Sequence, residues 1–147
     1  MVTVLGVIVP ISKTQAAQEY SQLQTQLANP TFFSIFINNF SIAAVGFIPF
    51  VGAIYEGFVL VNTGLAVGTI GTAKGIPPLY LLAVSMTTPF FWMEYVSYSI
   101  AISAAAFLVL SIVRHRFHVE FKYFLLQIAL AAVLLLGAAF IEMAYVV

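Results

Sequence analysis

From Phe32 to Gly71 the chain carries one charged side chain, Glu56. A single helix of that length would measure about 60 Å, twice the roughly 30 Å of a bilayer's hydrocarbon core. The segment therefore has to fold back on itself. The turn is expected at PFVG, residues 49–52, where Pro49 removes a helical donor and Gly52 relaxes the backbone. A second apolar block, Leu79 to Val113, is again too long for one crossing and carries Pro89 near its middle. Each block holds a Pro-Phe dipeptide followed by an aromatic residue next to a glutamate: Pro49, Phe50, Tyr55 and Glu56 in one, Pro89, Phe90, Glu94 and Tyr95 in the other.

With 63% hydrophobic and 7% charged residues in blocks of this length, a small water-soluble domain is excluded. The expected fold class is all-α: a polytopic α-helical membrane protein forming one integral membrane domain. It has two Pro/Gly-broken helical hairpins, residues 32–71 and 79–113, and a terminal transmembrane helix, residues 123–147. Residues 14–28 put Ala16, Ala17, Tyr20, Leu23 and Leu27 on one face and mostly glutamine on the other, the pattern of an amphipathic interfacial helix ended by Asn29 and Pro30. Residues 2–11 are apolar but too few to span, and read as a short membrane segment. No basic residue or small-residue cleavage pattern makes them a signal peptide. The polar segments 72–78 and 114–122 read as loops.

Five basic residues balance five acidic ones, so charge does not point to nucleic acid as a partner. Lys13, Lys74 and the group Arg114, Arg116 and Lys122 flank the blocks. If each block crosses and returns, all of these cations fall on one side, which the positive-inside rule makes cytoplasmic, as in a multi-pass protein of the cell membrane. Glu56 and Glu94 then lie near the far turns of their hairpins, and Glu142 lies about 30 Å along the last helix. All three are expected toward the outer leaflet.

Three readings of these glutamates are open. They are solvated interfacial residues beside interfacial aromatics such as Tyr55, Trp92, Tyr95 and Tyr145. Alternatively they converge on a partly buried acidic site that binds a cation or shares protons, with Asn38, Asn39 and Asn62 as polar company. In the third they anchor the chain to another protein. No lysine or arginine lies inside these spans to pair with them. Gly64 and Gly68 form a GxxxG, and Ser97, Ala101 and Ala105 a small-residue stripe, both signs of close helix packing within the chain or in an oligomer. His115 and His118 read as part of a basic, headgroup-facing loop, so no metal site or other cofactor is expected.

Enzymatic chemistry finds little to work with. The chain has no cysteine and no aspartate, which removes a thiol nucleophile and an aspartyl protease pair, and it contains no HExxH, GxSxG or GxxxxGK[ST]. A non-enzymatic protein is expected.

The run PTFFSIFINNFSIAAVGFIPFVGAIYEGFVLVNTGLAVGTIG resembles the signature of the stage II sporulation protein M family, in which F-x-NN leads into a glycine-broken membrane segment ending in NG-x-x-x-G. The matching positions are Ile37, Asn38 and Asn39, then Asn62, Thr63, Gly64 and Gly68, with the first glycine displaced by one residue. Pro89 and Glu94 are similar to the family's PHG-x-x-E, although Phe90 and Phe91 replace its histidine and glycine, and Glu142 is similar to a glutamate near the end of its last helix. The resemblance implies a membrane subunit or scaffold of an envelope-organising complex. Its sporulation member belongs to a complex that organises cell-wall hydrolases during engulfment, and relatives in organisms without peptidoglycan imply a broader role. The implied partners are the bilayer and other membrane proteins or further copies of the chain. The alternative, read from the residues, is a small cation or proton-coupled channel or transporter using Glu56, Glu94 and Glu142.

Overall fold

The computed structural model describes residues 2–26, 30–115 and 117–146. Regular structure among them is entirely α-helical: α1 (Val2–Val7), α2 (Lys13–Gln26), α3 (Phe32–Gly46), α4 (Val51–Lys74), α5 (Pro78–Ser85), α6 (Pro89–Val113) and α7 (Phe117–Val146). Helices α4, α6 and the stretch Glu120–Tyr145 of α7 are long and apolar enough to cross a membrane. No more than 33% of any of these apolar windows is buried inside the protein, so most of their apolar surface faces outward. Water does not tolerate apolar surface on that scale, and lipid does. The chain is a helical membrane protein.

The helices form two compact units, Met1–Pro30 with Gly57–Thr88 and Thr31–Glu56 with Pro89–Val147. The boundary between them falls between Glu56 and Gly57. In the first unit, α1 lies directly on α4: Gly6 faces the backbone of Val61, Gly64 and Leu65, and Gly64 faces the carbonyl of Thr3. The glycine pair at 64 and 68 thus packs the chain against itself, and Gly64 sits on α1 rather than on a lipid-facing surface. Helix α2 is tied to the later part of α4 by the Thr69 hydroxyl, which donates to Glu19 at 3.1 Å, and by the Lys74 ammonium 5.5 Å from the centre of the Tyr20 ring. Of the face expected for α2, Ala16 is buried but Ala17 is exposed. Leu27, Ala28 and Asn29 lie outside the described residues.

In the second unit, α3 opens on a capping box, the Thr31 hydroxyl accepting from the Ser34 amide at 3.1 Å and the Ser34 hydroxyl from the Thr31 amide at 2.9 Å. It ends at Phe47, two residues before Pro49. The Phe47 amide donates to the Ala43 carbonyl, Phe50 takes a left-handed φ of 66°, and α4 begins at Val51. Gly52 lies on the backbone of Gly46, where a side chain would collide. That contact lets the chain reverse inside the unit. Phe47 packs with Ala101, Ala104 and Ala131, and its ring meets Phe124 edge-on at 5.5 Å.

Helix direction follows from paired contacts. Along α3, Asn39 meets Glu94 and Gly46 meets Ala101, so α3 runs parallel to α6. Along α7, Ala131 packs with Ala101 and Ala104, Gly137 meets Met93, and Tyr145 meets Phe90, so α7 runs antiparallel to α6. The small stripe Ser97, Ala101 and Ala105 is buried, as are Ala131, Leu135, Ala138 and Ala139.

Three expectations are corrected. The second block is not a pair of crossings, because α5 has 8 residues, about 12 Å, and only α6 can cross. The parallel run of α3 and α6 puts the start of α3 at the Glu94 and Glu142 end of the second unit, opposite Arg114 and Lys122. The loops are also shorter than expected. Helix α4 continues to Lys74, where Gly75 at φ 69° turns the chain, and α7 begins at Phe117, so Lys122 is helical. Arg116 lies outside the described residues.

The α1–α4 contact predicts a contrast between two glycines of one helix. Gly64→Val should lower stability in detergent by about 1–3 kcal/mol, the usual cost of overpacking a tight contact. Gly57→Val, where no atom lies within 4 Å of an added Cβ, should change it by less than about 0.5 kcal/mol. Thermal unfolding of the two purified variants checks this.

Candidate functional site: an acidic cluster inside the second unit

Three of the five acidic residues of the chain gather in the second unit, one from each of three helices: Glu56 from α4, Glu94 from α6 and Glu142 from α7. Helix α3 supplies their polar support. The Asn39 amide donates to Glu94 Oε1 at 2.6 Å, and the Asn38 amide donates to Asn39 Oδ1 at 3.2 Å. Asn39 is buried and Asn38 exposed, so adjacent asparagines do different jobs. One grips Glu94, and the other orients its neighbour from outside.

Glu142 lies close enough to act electrostatically on Glu94. All three glutamates, together with Tyr95, act on the Tyr98 hydroxyl. Tyr98 is four residues beyond Glu94 on α6 and therefore on the same face, about 6 Å further along the helix. Its burial places a group that both donates and accepts among the carboxyls. Phe91 stacks on Tyr95 with ring centres 4.4 Å apart, and Phe90 meets Tyr145 at 5.8 Å, so aromatic rings brace the α6–α7 end of the cluster.

Glu56 differs from the other two. It is 1% exposed, and neither carboxyl oxygen has a hydrogen-bond partner. Gly46 lies directly against Oε1, and a methyl group there would collide with the carboxyl and press on Ala101 Cβ at 3.0 Å. The expected rim position of Glu56 is thereby corrected. Because α3 stops at Phe47 against Phe124, α4 begins at mid-bundle and carries Glu56 to the level of Ala101, the middle residue of α6. Glu94 and Glu142 lie nearer the helix ends.

Of the other sequence-selected residues, Asn62 belongs to the first unit, is exposed, and donates to the Phe58 carbonyl of its own helix at 2.8 Å. It is no part of the cluster. His115 is exposed at the α6–α7 turn with φ 55°. Among the described residues no three His, Cys, Asp or Glu side chains converge as a metal site would require. Tyr98 and Gly46 are members of the site that the sequence analysis did not select. The i, i+4 spacing from Glu94 was a signal for Tyr98, whereas nothing local marks Gly46 as the neighbour of a residue ten positions on.

No protein-family model, curated protein or solved structure matches the chain.

The Asn39–Glu94 bond predicts coupling. In a double-mutant cycle of Asn39→Ala and Glu94→Gln followed by unfolding in detergent, the interaction energy should be about 0.5–3 kcal/mol. Asn62→Ala combined with Glu94→Gln should give additive effects within about 0.5 kcal/mol.

Proposed function

We propose that the protein is a small multi-pass membrane protein that binds a cation or proton at the acidic cluster of its second unit, and that this binding serves a channel or coupled-transport activity. The supporting observation is Glu56. Removing a carboxylate from water costs several kcal/mol unless a charge or hydrogen-bond partner compensates it, and membrane-embedded ionisable groups are rare outside substrate paths and proton relays. A carboxyl enclosed at mid-bundle, with no partner for either oxygen, is expensive for packing and useful for taking up positive charge. Glu94, Glu142 and Tyr98 extend the same surface toward the helix ends.

The second reading is a non-enzymatic subunit or scaffold of an envelope-organising complex of the cell membrane, and it rests on the resemblance of residues 30–71, Pro89, Glu94 and Glu142 to the stage II sporulation protein M family. Under this reading the partners are other membrane proteins or further copies of the chain, and the acidic cluster sets the state of the subunit. It predicts that crosslinking in native membranes captures a defined partner that survives purification.

The leading reading predicts flux. Reconstituted in liposomes, the protein should dissipate an imposed proton or monovalent-cation gradient, and Glu56→Gln or Glu94→Gln should slow this at least about tenfold, equivalent to about 1.4 kcal/mol on the barrier. Asn62→Ala should leave it unchanged. No flux above protein-free liposomes, or flux indifferent to both glutamate changes, removes this reading.

A further inference from the structure

At the end of the second unit opposite Glu94 and Glu142, α6 and α7 border two neighbouring cavities of about 200 and 250 Å³. Phe107 and Glu120 belong to both linings, so the two make one cleft. On α7 it is lined by Glu120, Tyr123, Phe124 and Gln127, whose spacing of i, i+3, i+4 and i+7 is one face of a helix. On α6 it runs from Ala104 past Phe107 to Arg114, a rise of about 15 Å. Ala104 packs with Ala131 in the apolar core, whereas Arg114 lies just past Val113, the last residue of α6. Glu120 is the first residue of the apolar span of α7. The mouth of the cleft thus lies where both spans emerge from the hydrocarbon, and its floor lies inside it.

The mouth carries one charge of each sign. Arg114 is exposed and Glu120 half-buried, both line the smaller cavity, and among the described residues no ion pair joins them. Lys122, two residues beyond Glu120 and therefore on another face of α7, lines neither cavity. Arginine presents a planar fork of N–H donors that fits phosphate oxygens. A glutamate carboxylate accepts hydrogen bonds from an ammonium group. Further along α7, the Tyr123 hydroxyl and the Gln127 amide can each donate to an ester carbonyl. The walls at Phe107 and Phe124 are apolar, and Phe107 is 58% exposed, so the cleft is open toward lipid on that side.

A molecule with phosphate and ammonium at one end, esters behind them and hydrocarbon beyond is a phospholipid. The charges also select among headgroups. An anionic headgroup would set a second negative charge against Glu120, and a quaternary ammonium has no N–H to give it. We propose that the cleft binds one zwitterionic phospholipid bearing a primary amine, a phosphatidylethanolamine, with its phosphate on Arg114, its ammonium on Glu120 and an acyl chain against Phe107 and Phe124. The site shares no residue with the acidic cluster and does not depend on the activity assigned to it.

The test uses the purified full chain in detergent, stripped of lipid, and short-chain phospholipids that differ only in an ethanolamine, choline or glycerol headgroup, with bound lipid counted by native mass spectrometry. One ethanolamine lipid should be retained per chain, at about tenfold lower concentration than either of the others. Arg114→Gln and Glu120→Gln should each weaken its binding about tenfold, and Lys122→Gln should leave it unchanged. Glu120→Gln should also bring the glycerol lipid level with the ethanolamine one, a change of preference that a misfolded variant would not give. Equal retention of the three lipids, or a preference untouched by both cleft variants, overturns the headgroup assignment. Displacement of the bound lipid by an equal concentration of water-soluble phosphoethanolamine overturns the acyl-chain contact and makes the site one for a free phosphate ester. Loss of binding in Lys122→Gln to the same degree as in Arg114→Gln overturns the cleft in favour of general attraction to a basic helix end.

Discussion

The contact between Glu56 and Gly46 is where packing and chemistry meet. A carboxyl is enclosed at mid-bundle by a helix that has no side chain at the point of contact, and neither of its oxygens is hydrogen-bonded. Its depth depends on where the chain reverses. Had α3 continued for another turn or two, α4 would have started nearer the helix ends and Glu56 with it. Phe47, wedged against Phe124, Ala101 and Ala104, stops α3 early, and Gly52 against the Gly46 backbone makes the reversal tight enough to fit. The glutamate is therefore placed by apolar contacts that are themselves indifferent to charge.

The same logic explains how two long helices hold the cluster together. Lipid gives apolar side chains no reason to prefer a neighbouring helix, so association relies on close fit. Ala101 and Ala104 of α6 pack in one cluster with Ala131 of α7, and Ser97 and Ala105 of α6 and Leu135, Ala138 and Ala139 of α7 are buried as well. Close approach of α6 and α7 brings Glu142 within electrostatic range of Glu94 and Tyr98. The Asn39 amide, donating to Glu94, ties α3 to α6 at the same place.

Much of the architecture could be read from the residues, because hydrophobic length and breakers act locally. The helical membrane class, the interruption near Pro49 and the close packing at Gly64 follow from spacing and residue size. The direction of α3 relative to α6 did not follow. The apolar run from Leu79 to Val113 has the length of a hairpin, but Pro89 falls only ten residues into it, which leaves α5 too short to cross and α6 as the one crossing. The parallel run of α3 and α6 puts the start of α3 at the opposite end from Arg114. At the site, Glu94 and Asn39 were legible as polar groups without charged partners, but their pairing joins residues 55 positions apart and depends on the parallel run of two helices. Asn62 looked equivalent to Asn39 in sequence, and its own helix satisfies it. A symmetric hairpin puts Glu56 at a rim, whereas the break in this chain lies deep in the bundle.

The depth of Glu56 can be measured directly because the chain has no native cysteine. Single cysteines at positions 56 and 122, in membrane vesicles of both orientations, are exposed to a charged, membrane-impermeant thiol reagent and to a small apolar one. A cysteine replacing Lys122 should react readily with the charged reagent from one side, and one replacing Glu56 should react with the apolar reagent but not with the charged one from either side. Rapid modification of position 56 by the charged reagent would place that residue at an aqueous rim and contradict the buried, uncompensated carboxyl from which the rest is built.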